Sequence, residues 1–271
     1  MLNEFQIELI KCIESGSLEG VKKLVLGKFD IDKPLIPNLE IPVKIPSQRI
    51  PFPFVRGPTP LVFSILYQRT DIFKYFLIEK NASLDVKVNG LYPIHYACAV
   101  GKLDIMQIIL GTEKGRSQVN LPNDYFYTPL HLAAANSNLQ VVLLLLSYGS
   151  QVNLSASTQK PETKNSPLHV AMCNTDTQVV EALLSKGADL NALNAENETP
   201  MKTAEFFHNE QMVKFLQNYQ NGTTTIRSFE ILCKEYLDEN TESNESEKIK
   251  QMAEQIRILK SKIENLEAMK Q

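Results

Sequence analysis

Cysteine is scarce in this sequence. The four present, Cys12, Cys98, Cys173 and Cys233, lie far apart with no paired spacing. Nothing there suggests a disulfide framework, and free buried thiols suit a reducing compartment. An excess of positive charge is also missing. With 28 Lys and Arg against 31 Asp and Glu, the net charge is −3, whereas a nucleic-acid footprint needs clustered Lys and Arg. No hydrophobic run reaches transmembrane length, and the N-terminus reads as an acidic amphipathic helix, not a signal sequence. The location expected is cytoplasmic, with the nucleus as the alternative. No glycine-rich phosphate loop, Gly-x-Ser-x-Gly elbow or His-Glu-x-x-His helix occurs. Neither catalysis nor a cofactor nor a bound metal is therefore expected.

What the sequence does have is a repeat. Pro60, Pro93, Pro129, Pro167 and Pro200 fall at steps of 33, 36, 38 and 33 residues. A period near that length means stacked units rather than one core. Thr59, Thr128, Ser166 and Thr199 precede four of these prolines, and Tyr92 precedes the fifth. A hydroxyl before Pro suits a helix start, because its oxygen accepts from an otherwise orphaned N–H and Pro at the first helical position loses nothing. Four residues on stand Ser64, Ala97, Ala133, Ala171 and Ala204, small enough for two helices to approach closely. Ile72, Ile105, Val141, Val179 and Met212 then begin a second amphipathic stripe, continued by Phe76, Ile109, Leu145, Leu183 and Leu216. Gly149 and Gly187 stand where two of those helices should end.

Thr128-Pro129-Leu130-His131-Leu132-Ala133-Ala134 and Lys186-Gly187-Ala188-Asp189-Leu190-Asn191-Ala192 resemble the ankyrin repeat. Tyr92 to Cys98 and Ser166 to Ala171 are similar to the same pattern. The resemblance implies an all-α repeat fold, a solenoid of helix–loop–helix units joined by β-hairpin fingers, and a protein partner. It departs at the inter-helix glycine, present at Gly101 but replaced by Gln68, Ser137, Thr175 and His208. It departs also at the first and last signature histidines, replaced by Val62 and Lys202. Before Pro60, residues 5–25 read as one more helix pair with a glycine turn, which brings the units to about six. The domains expected are an ankyrin array over 1–220 with a proline-rich finger insertion at 33–58, a capping helix and polar linker over 221–247, and a coiled-coil helix over 248–271.

His95, His131 and His169 occur in register. Stacked imidazoles could form a metal ladder, but no carboxylate or thiol is spaced to complete a ligand set. The resemblance instead implies rings that hydrogen-bond within and between units. It also places partner contacts on the finger tips and on the exposed face of the first helices. Carried onto this chain, those positions include Arg56, Tyr67, Val100, Tyr125, Phe126, Tyr127, Asn136, Asn174, Phe206 and Phe207. Phe126 stands where the pattern expects the finger's glycine. An aromatic triplet at a tip is either packed under a neighbouring loop or offered to a partner.

The first finger carries seven prolines between Asp32 and Pro60, four of them after isoleucine. It reads either as an elaborated finger folded on the groove or as an arm that binds or covers it. A second, shorter insertion lies between Asn153 and Ser166. Beyond Thr225, Ser228 to Cys233 resembles the start of a ubiquitin-ligase docking box whose proline-rich second half is absent. Ile249, Met252, Ile256, Leu259, Ile263 and Leu266 alternate by three and four, the seam of a short coiled coil that would pair two copies. A single helix folded back on the array is the other reading.

Overall fold

A computed structural model describes residues 4–26, 29–36, 40–42, 54–155 and 164–238. The heptads from Ile249 to Leu266, most of the proline-rich insertion and residues 156–163 lie outside the described residues. The chain divides into two compact units, Met1–Arg227 and Ser228–Gln271.

In the first unit Pro60, Pro93, Pro129, Pro167 and Pro200 each open a helix, and each such helix is followed by a second one running back. The inner helices are α1 (Glu4–Ser15), α3 (Pro60–Leu66), α5 (Pro93–Val100), α8 (Pro129–Ala135), α10 (Pro167–Ala171) and α12 (Pro200–Phe206). Their partners are α2 (Leu18–Leu24), α4 (Thr70–Lys74, continued as π-helix over Tyr75–Glu79), α6 (Leu103–Gly111), α9 (Leu139–Ser147), α11 (Thr177–Ser185) and α13 (Glu210–Gln220). Inner helices pack on one another along one layer and α2, α4, α6, α9 and α11 along a second, as an all-α repeat solenoid requires. One extra short helix, α7 (Glu113–Ser117), follows α6, capped by Thr112, which accepts from the Gly115 N–H.

The helix starts follow from their caps. Thr59, Ser166 and Thr199 accept from the backbone N–H groups of Val62, His169 and Lys202. At the other ends, Gly149 and Gly187 turn at φ 84° and 81°. The core sits where the two layers meet. Val141 to Leu146 are buried without interruption in α9, which has neighbours on both sides. In α13, the last of its layer, only Met212 and Leu216 are buried, so its outward face is polar.

The inter-helix turns are left-handed at Gln68, Gly101, Ser137 and His208, with φ between 53° and 74°. Glycine is required at Gly101, since a Cβ there would fall 2.3 Å from the Asn138 amide oxygen. Elsewhere a side chain is held in a conformation that costs about 1 kcal/mol or more. The turn around Thr175 avoids positive φ.

The fingers are less sheet-like than hairpins. Among the described residues, strand pairing is confined to β1 (Glu40–Pro42) with β2 (Phe54–Arg56) and to a bridge between Val88 and Leu91. Asparagine side chains replace the ladder. Asn123 Oδ1 accepts from Tyr125 and Tyr127 N–H at 2.9 and 3.0 Å, and Asn194 Oδ1 accepts from Glu196 and Glu198 N–H at 3.0 and 2.9 Å. Between fingers, Asn120 and Asn153 each donate to a glycine carbonyl of the next unit and accept a backbone N–H from it.

The thiols correct one expectation. Cys98 is fully buried 3.7 Å from the Met106 sulfur, and burial pushes its pKa up, but Cys12, Cys173 and Cys233 are only half-buried. In the second unit, α14 (Phe229–Cys233) begins at Ser228, whose hydroxyl accepts from the Ile231 N–H, and continues as π-helix over Lys234–Asp238.

Candidate functional site

The three histidines fix the inner helices and thereby the fingers. His131 and His169 use both ring nitrogens. Nε2 donates to the Asn165 carbonyl at 2.9 Å in one and to the Glu198 carbonyl at 3.0 Å in the other, and both carbonyls belong to the finger of the next unit. Nδ1 accepts from the backbone N–H of Thr128 or Ser166 at 3.2 Å, with the hydroxyl of the same residue 2.8 Å away. Donation from Nε2 and acceptance at Nδ1 define a neutral tautomer. His95 makes the first contact, to the Leu121 carbonyl at 3.0 Å, but its Nδ1 has no hydrogen-bond partner among the described residues. Desolvation dominates all three and lowers their pKa values, to about 4 in His95 and His131. These rings are structural struts, and among the described residues no cluster of three His, Cys, Asp or Glu could hold a metal ion.

The ten positions singled out in the sequence have different surroundings. Tyr125 is exposed at the tip after Asn123, with Phe126 and Tyr127 half-buried beside it. Phe126 does adopt the glycine-like conformation, at φ 67°. Tyr127 meets the His131 ring edge-on at 5.7 Å. Phe206 is two-thirds exposed and packs edge-on against half-buried Phe207 at 5.1 Å. Val100 is half-buried at the end of α5.

The rest have defined polar roles. Tyr67 donates to Glu14 Oε1 at 2.8 Å and stacks on Phe63, and burial together with Glu14 pushes its pKa up to about 12. Its hydroxyl therefore ties α3 to α1. Asn136 donates to the Leu132 carbonyl, and Asn174 donates to the Ala134 and Ala135 carbonyls of the preceding unit. The Arg56 backbone N–H donates to Asn89 Oδ1 at 3.2 Å, joining the long finger to the next one.

Other features at these surfaces were not singled out from sequence. Lys87 bridges fingers by its ion pair with Asp124 at 2.5 Å while lying 4.8 Å above the Tyr92 ring. Leu193 is half exposed in the last finger. Nothing in the spacing marks Lys87, whose partner Asp124 lies 37 residues on, and Leu193 stands where the repeat pattern makes no demand.

Paired antiparallel helices, stacked in two layers and joined by side-chain-closed fingers, define a helical repeat solenoid. Its family is shown by direct comparison: the family described as Ankyrin repeats (3 copies) matches residues 9–123, 61–156 and 154–226, and the chain belongs to it. Ankyrin repeats form a protein–protein interaction module.

Similar proteins include the probable 26S proteasome regulatory subunit p28 of Saccharomyces cerevisiae, 33% identical over 141 residues. That match takes in 51% of this chain and 53% of the yeast protein. Ankyrin repeat and SOCS box protein 16 of Homo sapiens is 33% identical over 38% of this chain and 22% of its own length. Alpha-latrocrustotoxin-Lt1a of Latrodectus tredecimguttatus is 34% identical over 35% of this chain and 6% of its own. The chain thus spans about half or less of the relatives it matches.

Proposed function

We propose that this chain is a non-enzymatic adaptor whose fingers and inner-helix ends grip a protein partner. About six ankyrin repeats over residues 1–220 form the array, and the heptads from Ile249 to Leu266 pair it with a second copy. The observation that carries this reading is the aromatic tip. A large ring at Phe126 is held in a conformation that glycine would adopt without cost, beside an exposed tyrosine. Exposed aromatic side chains supply much of the energy of protein interfaces. Phe206 and Leu193 extend the apolar character to the last unit. Arg56, Val100, Asn136 and Asn174 would rim the contact. The expected setting is cytoplasmic, without nucleic acid, membrane or cofactor.

The test is affinity capture from native lysate, comparing the intact chain with a variant carrying Tyr125, Phe126, Phe206 and Phe207 changed to serine. Tyr67 is left intact because it holds α1. A partner retained by the intact chain and lost by the folded variant supports the groove. The same partners from both would place function elsewhere.

A regulatory role, in which the array covers an enzyme or a localisation signal, is the second reading. The similarity to a protein named as a proteasome regulatory subunit favours it. The two readings separate on the tail: removing residues 248–271 should abolish an adaptor's bridging and spare simple inhibition.

A further inference from the structure

The flank of the last helix pair carries a second surface, separate from the fingers. Glu205 and His208, at the end of α12 and its turn, border an open recess of about 590 Å3 with Glu210, Val213, Lys214 and Gln217 of α13. Its place in the repeat register says what chemistry fills it. In successive units, the carbonyl three residues before the inter-helix turn accepts a side-chain donor from the following unit. Ile13 accepts from Arg69 Nε at 3.3 Å, and Arg69 Nη2 also donates to the Glu14 carbonyl. The Cys98 carbonyl accepts from Asn138 at 2.9 Å, Ala134 from Asn174 at 3.3 Å and Met172 from Asn209 at 3.0 Å. The α3–α5 boundary is the exception, since Lys102 holds the donor position and pairs with Asp104 instead. Glu205 is the next member of the series, and it lines the recess.

An arginine suits this place on three counts. The end of a helix carries partial negative charge. Two carboxylates, Glu205 and Glu210, line the recess against one ammonium, Lys214. The chain already seats an arginine at this register: Arg69, at the opposite end of the array, donates to the Ile13 and Glu14 carbonyls. A second arginine, Arg227, binds both oxygens of Glu181 between 2.6 and 3.2 Å. The counterpart of Glu181 in α13 is Lys214, five residues after the N-cap in each helix, so here the carboxylates are those of Glu205 and Glu210 instead. A planar fork satisfies a carbonyl and a carboxylate together, which an ammonium does less well.

We propose that this recess is a docking site for an arginine side chain of a protein partner, its guanidinium directed to Glu205 and Glu210. The recess adjoins Phe206 and Phe207, but the E205Q/E210Q variant leaves both rings and the tip at Tyr125 and Phe126 unchanged, so its failure is distinguishable from that of the finger reading.

Titration of the 15N-labelled full chain with N-acetyl-arginine amide tests it, with N-acetyl-lysine amide and N-acetyl-glutamine amide as competitors for the same chemistry. Saturable shifts confined to amides of residues 205–218 are expected, strongest for the arginine probe. The E205Q/E210Q variant, changed only at exposed positions, should bind about fivefold more weakly. Far-UV dichroism and the unperturbed remainder of the spectrum report that it is folded. No saturable shift up to about 50 mM probe, on the scale where binding of about −2 kcal/mol would show, overturns the site. An equal response to lysine, or an undiminished response in the variant, overturns the arginine assignment.

Discussion

The units that begin at α5 and α8 set the same imidazole against the same kind of carbonyl, yet they differ in one neighbour. His131 follows Thr128, whose backbone and hydroxyl meet Nδ1. His95 follows Tyr92, whose ring stacks on the imidazole at 5.8 Å and leaves Nδ1 without a hydrogen-bond partner among the described residues. Both rings are fully buried. The bond that both share, from Nε2 to the next finger, is thus enough to keep the register of the stack. The second bond, at the helix start, sets how firmly each unit is held. A buried acceptor without a donor costs about 1–3 kcal/mol, so the α5 unit carries a cost that the α8 and α10 units do not.

Acid should produce the largest effect on that comparison. Both His95 and His131 have folded pKa values lowered from 6.5 to about 4. The unfolded chain therefore takes up protons first as pH falls. The contribution of each ring is fully present above pH 6.5 and is lost between there and pH 4, at about 3 kcal/mol per ring. Glu181, lowered by its Arg227 partner against the opposing effect of burial, adds a loss of the same sign at lower pH. Urea unfolding at stepped pH should show stability falling steeply through this window. A flat profile would contradict the neutral, buried assignment of the rings.

Replacing one ring with alanine should come next. His131→Ala removes a buried side chain and orphans the Asn165 carbonyl and the Thr128 N–H, at about 3–4 kcal/mol. His95→Ala should cost about 1 kcal/mol less, because its Nδ1 has nothing to lose. Equal costs in urea melts would mean that the cap bond contributes nothing.

The turns offer a smaller contrast. Gly101→Ala would drive a Cβ into Asn138 and break its bond to the Cys98 carbonyl, at about 2 kcal/mol. Ser137→Gly, at the same place one unit on, should instead gain up to about 1 kcal/mol by relieving a φ of 53°. Thermal unfolding of the two variants should shift in opposite directions.

Much of this fold was legible because proline, threonine and histidine recur at one spacing, and each has a local physical reason to stand where it does. Helix starts, the inner and outer layers and the two glycine stops could be read from those residues alone. The side-chain ladder could not. Asn138, Asn174 and Asn209 all donate to the preceding unit, but Asn174 does so from a different place in its turn. Such bonds depend on how the chain turns, and polar residues in turns look alike in sequence. Tyr67 shows the same limit. At a position assigned to partners, its hydroxyl is taken by Glu14, more than fifty residues away. Only folding brings those two together, and no spacing along the chain encodes it.

Phe126 gives the smallest stability effect and the sharpest separation of roles. If the tip serves a partner, Phe126→Gly should relieve the left-handed strain and raise stability by about 1 kcal/mol, while partner affinity falls about tenfold or more. If the ring instead packs its own finger, the same change should lower stability through lost burial and leave affinity unchanged. A thermal melt on one variant therefore moves in opposite senses under the two readings, and the binding isotherm moves under the first alone.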